Sequence, residues 1–229
     1  MNRLRKYAML VVSIALLSCS NNVHKKNASQ ELVTNVMLKG LNERYDSIRL
    51  YFKPELLFHF PEKLDTSVIS LTDNVMNPKD LARMELTCKI ADDQVSEYIH
   101  EFEEIGIALY AAGDSCVLIP RRYITQERIM KPKNQNYIDS LSRYNFLPCV
   151  QSKYPIPNFW LNTYSDETTF SRLPKDFKIV VLQSESGKFY NEAILQVDSH
   201  MPNKWENGYS NGVAISEKEG VVIYWLIVW

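Results

Sequence analysis

Apolar and polar positions along the chain change period several times, and each period implies an element. Over residues 29–45, "SQELVTNVMLKGLNERY", the apolar residues Leu32, Val33, Val36, Met37 and Leu41 recur at helical spacing behind Ser29, a suitable N-cap. Pro54 and Pro61 then break an apolar stretch, which predicts irregular or edge structure. "TSVISL" and "MELTCKI" read as strands, and Asn77-Pro78 between them has the order that starts a helix. Residues 93–104 predict an amphipathic helix capped by Asp92. Val95, Tyr98, Ile99 and Phe102 gather on one side of it, Asp93, Glu97, Glu101 and Glu104 on the other.

Further along, "IGIALYAAGDSCVLIP" predicts two strands joined by a turn at Gly113-Asp114-Ser115, and "NQNYIDSLSRYN" a further helix. A passage mixing prolines with aromatics follows, then a strand over "FKIVVLQSES". The last hairpin carries the strongest strand signal. "GVAIS" leads through "EKEG", with Gly220 at the left-handed position, into "VVIYWLIVW". A strand apolar on both faces has to be covered on both, so this one is expected to be central. Trp205 and Tyr209, near Gly208 and Gly212, are placed in a tight loop before it. The expected fold is α+β, a largely antiparallel sheet with packed helices ending in a hairpin whose last strand is buried.

The first 19 residues follow a different logic. Arg3, Arg5 and Lys6 precede an apolar run from Ala8 to Leu17, interrupted only by Ser13. Spanning a bilayer takes roughly 20 apolar residues, whereas the apolar part of a secretory signal has about 7 to 15. The run ends in Leu16-Leu17-Ser18-Cys19, which resembles a bacterial lipobox. That resemblance implies removal of residues 1–18 and acylation of Cys19, by palmitate-type chains among others, so that the chain contacts a membrane through its N-terminus. Residues 20–28 form a polar linker, and residues 29–229 read as one domain. The leader and the Asn-rich start resemble lipoproteins of Bacteroidota. In that group an acidic cluster after the cysteine marks surface export; here His24, Lys25 and Lys26 stand instead, which implies the periplasmic face of the outer membrane.

Composition narrows the chemistry. A formal net charge of −1 gives no reason to expect nucleic acid as a partner. Only 7 glycines and neither G-x-G-x-x-G nor a P-loop disfavour those two modes of nucleotide binding. Beyond Cys19 the cysteines are Cys88, Cys116 and Cys149, which leaves either one disulfide with a buried thiol or three buried thiols. The histidines His24, His59, His100 and His200 form no H-E-x-x-H, and no metal or cofactor is expected.

Four groups remain as candidate functional residues. Gly113-Asp114-Ser115 with Asp198-Ser199-His200 resembles the nucleophile and closing blocks of SGNH (GDSL) esterases, which implies Ser115 as nucleophile, His200 as base and Asp198 as its orienting acid. The closing block is one residue short and the family's Gly-x-Asn-Asp block is missing. Without preorganised oxyanion donors acyl transfer loses about 3 kcal/mol of stabilisation. Tyr154, Trp160, Trp205 and Tyr209 are candidate stacking surfaces for a glycan or an envelope protein. Arg121 and Arg122 open a basic segment, a candidate contact for Glu97 and Glu101 of the acidic helix, either within the chain or on a neighbouring one. The overall expectation is an envelope-anchored, non-catalytic binding module, with the esterase as its alternative.

Overall fold

Six antiparallel strands, arranged across the sheet in the order first, second, sixth, fifth, fourth and third along the chain, form the sheet of a computed structural model. The structure describes residues 34–76, 78, 81–121, 143–190 and 195–229. The leader, the linker, Ser29, Arg122 and most of the "NQNYIDSLSRYN" segment therefore lie outside the described residues, as does Asn77; Pro78 is not helical and a strand already begins at Ala82, so the expected helix start is not seen. The chain divides into two compact units, Met1–Arg44 and Tyr45–Trp229. Within the first, residues 34–44 are helical, with Val36 and Met37 exposed. No helix of the described residues is long and apolar enough to cross a membrane.

The strands of the second unit are β1 (Val68–Asp73), β2 (Ala82–Lys89), β3 (Ala108–Ala111), β4 (Phe177–Ser186), β5 (Gly208–Ser216) and β6 (Val221–Val228). The expected central strand is β6, and every one of its residues is buried. Side chains alternate across a strand, so β6 supplies both cores. Val221, Ile223, Trp225 and Ile227 join Ile179 and Val181 of β4 and Ala214 of β5, under a cover of loops that includes Leu118, Ile156, Phe159 and Trp205. On the opposite face the Tyr224 ring meets Phe60 and Phe102 at centroid separations of 5.9 and 6.3 Å.

Phe102 belongs to α1 (Val95–Ile105), the amphipathic helix expected from its periodicity, with Val95 and Phe102 buried. It begins later than expected, after Gln94, and no side chain caps it, so Asp92 is not its N-cap. Beside the acidic side, Lys178 Nζ of β4 lies 2.8 Å from Glu103 Oε1, and on it Glu104 Oε1 lies 3.3 Å from His100 Nε2. In the second unit residues 45–49 are helical; Tyr45 is buried and its hydroxyl donates to Pro61 O at 2.6 Å.

Two expectations fail for definable reasons. Residues 117–119 do not pair with β3; β3 pairs with β4, and Leu118 makes only an isolated bridge to Pro155. Val117, Leu118 and Ile119 are all fully buried, so the segment is core cover and not the second limb of a hairpin. Likewise Gly208 and Gly212 sit inside β5 and not in a loop. A Cβ at Gly212 would lie 2.0 Å from Val180 O and 2.7 Å from the Trp225 indole. Glycine is needed there because a large ring packs directly over the strand backbone.

His59 is buried against this sheet, with Nε2 3.2 Å from Trp225 O and Nδ1 lacking a hydrogen-bond partner among the described residues. Burial lowers its pKa from the usual 6.5 to about 4. The folded state thus holds the ring neutral while the unfolded chain protonates it. Stability from this site is complete above about pH 6.5 and is lost as pH falls toward about 4, a difference of roughly 3 kcal/mol. Urea midpoints across that window should fall more steeply for the wild type than for His59→Gln; equal slopes would contradict the assignment.

Candidate functional site

Asp198 and His200 come together as the esterase resemblance implies. His200 Nδ1 stands 3.6 Å from Asp198 Oδ1, and the His200 backbone N–H donates to that same oxygen at 3.1 Å. Asp198 is fully buried, and its other oxygen accepts the Arg121 backbone N–H at 2.8 Å. Asn145 Nδ2 donates to the carbonyls of Ile119 and His200, which joins this node to the core cover. Ser115 stands apart from it. It is exposed in a turn where Asp114 Oδ1 accepts the Cys116 N–H at 2.7 Å, and no hydrogen bond joins it to His200.

Arg121 corrects the electrostatic expectation. Its side chain is buried, with Nε 3.7 Å from Asp198 Oδ2 and a terminal nitrogen donating to Gln196 O. Its φ of 52° is a left-handed conformation, held by the Asp198 carboxylate on its own N–H. Glu97 and Glu101 remain exposed on α1, so Arg121 does not reach them.

The aromatic candidates separate by burial. Trp205 and Tyr209 are interior, and the Trp229 indole N–H donates to Trp205 O at 2.7 Å. Tyr154 is half-buried and meets the Trp205 ring edge-on at 6.2 Å. Trp160 is half-buried as well, but its neighbour is a charge: Arg83 Cζ lies 5.9 Å from the ring centroid.

Arg83 leads to a group absent from the sequence expectations. Arg83, Glu85 and Thr87 occupy alternate positions of β2 and are opposite Ile227, Trp225 and Ile223 of β6, so they share the loop-covered face. All three are buried, as is Asn162, which reaches them from the loop that carries Trp160. Asn162 Nδ2 donates to Thr87 Oγ1 at 3.1 Å and to Glu85 Oε2 at 3.4 Å. Glu85 Oε1 has no hydrogen-bond partner among the described residues, and Arg83 Nη1 is 3.7 Å from it. Burial raises the Glu85 pKa, while the Arg83 charge and the Asn162 hydrogen bond pull it down. The one available signal was polar residues recurring at every second position of a strand, which ordinarily marks a solvated face.

The cysteines resolve as one pair and one thiol. Cys116 and Cys149 form a disulfide, and Cys88 is free and buried, its pKa pushed up to about 11 chiefly by that burial. It borders a small cleft of about 120 Å³ with Lys63, Ser67 and Tyr98. A larger cleft of about 240 Å³ lies between Phe189, Tyr190, Leu195, Val197 and Trp229. Comparison with protein-family models, with curated proteins and with solved structures gave no match to this chain.

Proposed function

We propose that the chain is an envelope lipoprotein, anchored through acyl chains on Cys19, whose α+β body binds an envelope protein, glycan or other ligand without catalysing a reaction. The observation that carries this reading is the basic, short apolar leader ending at Leu16-Leu17-Ser18-Cys19. Two acyl chains hold a protein on a bilayer far more firmly than one, at about 0.8 kcal/mol per buried methylene. The Cys116–Cys149 disulfide supports export, since such bonds persist in oxidising compartments. The periplasmic face of the outer membrane is the proposed location.

The Asp198–His200 pair supports a second reading, an esterase acting on envelope glycan or lipid esters. That reading needs a nucleophile in reach of His200, and Ser115 makes no hydrogen bond to it. The anchoring proposal is tested by fractionation. Cys19→Ala is expected to shift the chain out of the membrane fraction; membrane retention equal to the wild type would contradict it.

A further inference from the structure

The Arg83 guanidinium is a buried cation whose donors are not used. Its side chain is 5% exposed, and among the described residues no hydrogen bond reaches it. Its two neighbours are Glu85 Oε1, at 3.7 Å and so beyond hydrogen-bond reach, and the Trp160 ring, with Cζ 5.9 Å from the centroid. Buried polar groups ordinarily meet hydrogen-bond partners on most of their donors; the Glu85 ion pair and the indole answer the Arg83 charge but none of its N–H groups. A carboxylate oxygen beside it, Glu85 Oε1, is likewise without a hydrogen bond. Two unsatisfied groups of complementary chemistry, each more than nine-tenths buried, thus stand side by side on β2.

We propose that Arg83, beneath Trp160, binds the carboxylate of a small organic acid or of a chain end, with Glu85 and Asn162 as the polar wall of the site. A guanidinium presents two parallel N–H groups that match both oxygens of a carboxylate, and the indole face covers the planar pair. Apolar residues complete the surroundings: Ile227 lies opposite Arg83 on β6, and half-buried Leu81 packs on the same core. Such walls favour a singly charged planar anion over a phosphate dianion, whose desolvation is harder to offset. Burial favours the protonated form of Glu85, which would then donate to the ligand and not repel it. Thr72 of the edge strand β1, opposite Glu85 and half-buried, gives the site a polar border toward solvent.

The site deepens the binding-module reading but is tested separately from anchoring, so its failure leaves the Cys19→Ala fractionation result untouched. The full-length chain in mild detergent is titrated with sodium benzoate at constant ionic strength, with sodium chloride and inorganic phosphate as parallel arms. The expected result is a saturable rise in melting temperature with benzoate, accompanied by a change in tryptophan fluorescence that Trp160→Phe removes. Arg83→Met is expected to abolish the rise. If that variant does not fold, Arg83→Lys is read instead, and a loss of at least tenfold in affinity supports the fork geometry. No saturable effect in the wild type, an equal effect in the Arg83 variant that folds, or an equal response to phosphate would each overturn the proposal.

Discussion

Gly212→Ala is expected to destabilise the sheet unit by about 3 kcal/mol, which for a chain of this size lowers the melting temperature by roughly 10 °C. The added methyl would meet Val180 O at 2.0 Å and the Trp225 indole at 2.7 Å. Neither obstacle is the free end of a flexible side chain. Val180 O belongs to the backbone of the neighbouring strand β4, and Trp225 is fully buried in the larger core. Relief would need the strands to separate or the indole to leave its place, and both disturb the centre of the sheet. Gly40→Ala is the matched control, since nothing lies within 4 Å of a Cβ at that helical position. It is expected to leave stability unchanged or to raise it by up to about 1 kcal/mol. Similar losses at Gly40 and Gly212, by urea or thermal unfolding, would show that the indole does not lie over the β5 backbone.

Loss of the disulfide is the second large effect. Cys116 and Cys149 are 33 residues apart, and closing a loop of that length contributes about 3 to 4 kcal/mol in the chain-entropy description. Asp114 prepares one end by holding the Cys116 N–H, and Val150, beside Cys149, is fully buried. Cys116→Ser with Cys149→Ser, or reduction of the wild type, should therefore lower the unfolding free energy by a comparable amount, seen as a fall of about 1 to 2 M in the urea midpoint. Cys88 should stay unmodified by a thiol reagent until the chain unfolds, because its thiol is buried and held protonated. An unchanged midpoint after reduction would mean that the bond does not form in solution.

How much was legible in the sequence depended on whether a signal was local. The β5–β6 hairpin was readable because "VVIYWLIVW" has no polar position to turn outward and Gly220, at φ 57°, sits where a left-handed residue closes the turn. Helix α1 was readable because its apolar residues repeat at 3.6, although its start was misplaced by the lure of Asp92. The run from Val117 to Ile119 has no period at all, and an aperiodic apolar stretch does not reveal whether it pairs with a strand or crosses a core. Gly208 and Gly212 suggest a loop because glycine more often marks turns. Their actual cause, two tryptophans packed over β5, arises from the neighbouring strand and chain end.

The buried polar group on β2 was hidden for the same reason. Arg83, Glu85 and Thr87 alternate with Met84, Leu86 and Cys88, the pattern of a strand with one face in water. The cover that dries this face comes from Trp160 and Asn162, some 75 residues later in the chain. Asp198 and His200 stand out through their resemblance to an esterase closing block, despite a spacing one residue short, but the role of Asp198 in holding the left-handed Arg121 backbone depends on a long-range contact. Pairing of the cysteines was likewise open until the distance between their backbones was known, a Cα–Cα separation of 5.6 Å.

Anchoring is tested most directly by the mass of the chain's own N-terminus after recovery from the envelope. A mature protein beginning at Cys19 is expected, heavier than its peptide mass by a diacylglyceryl group with or without an additional acyl chain on the amine. An intact Met1 with no lipid, or a mature N-terminus at any residue other than Cys19, would contradict it.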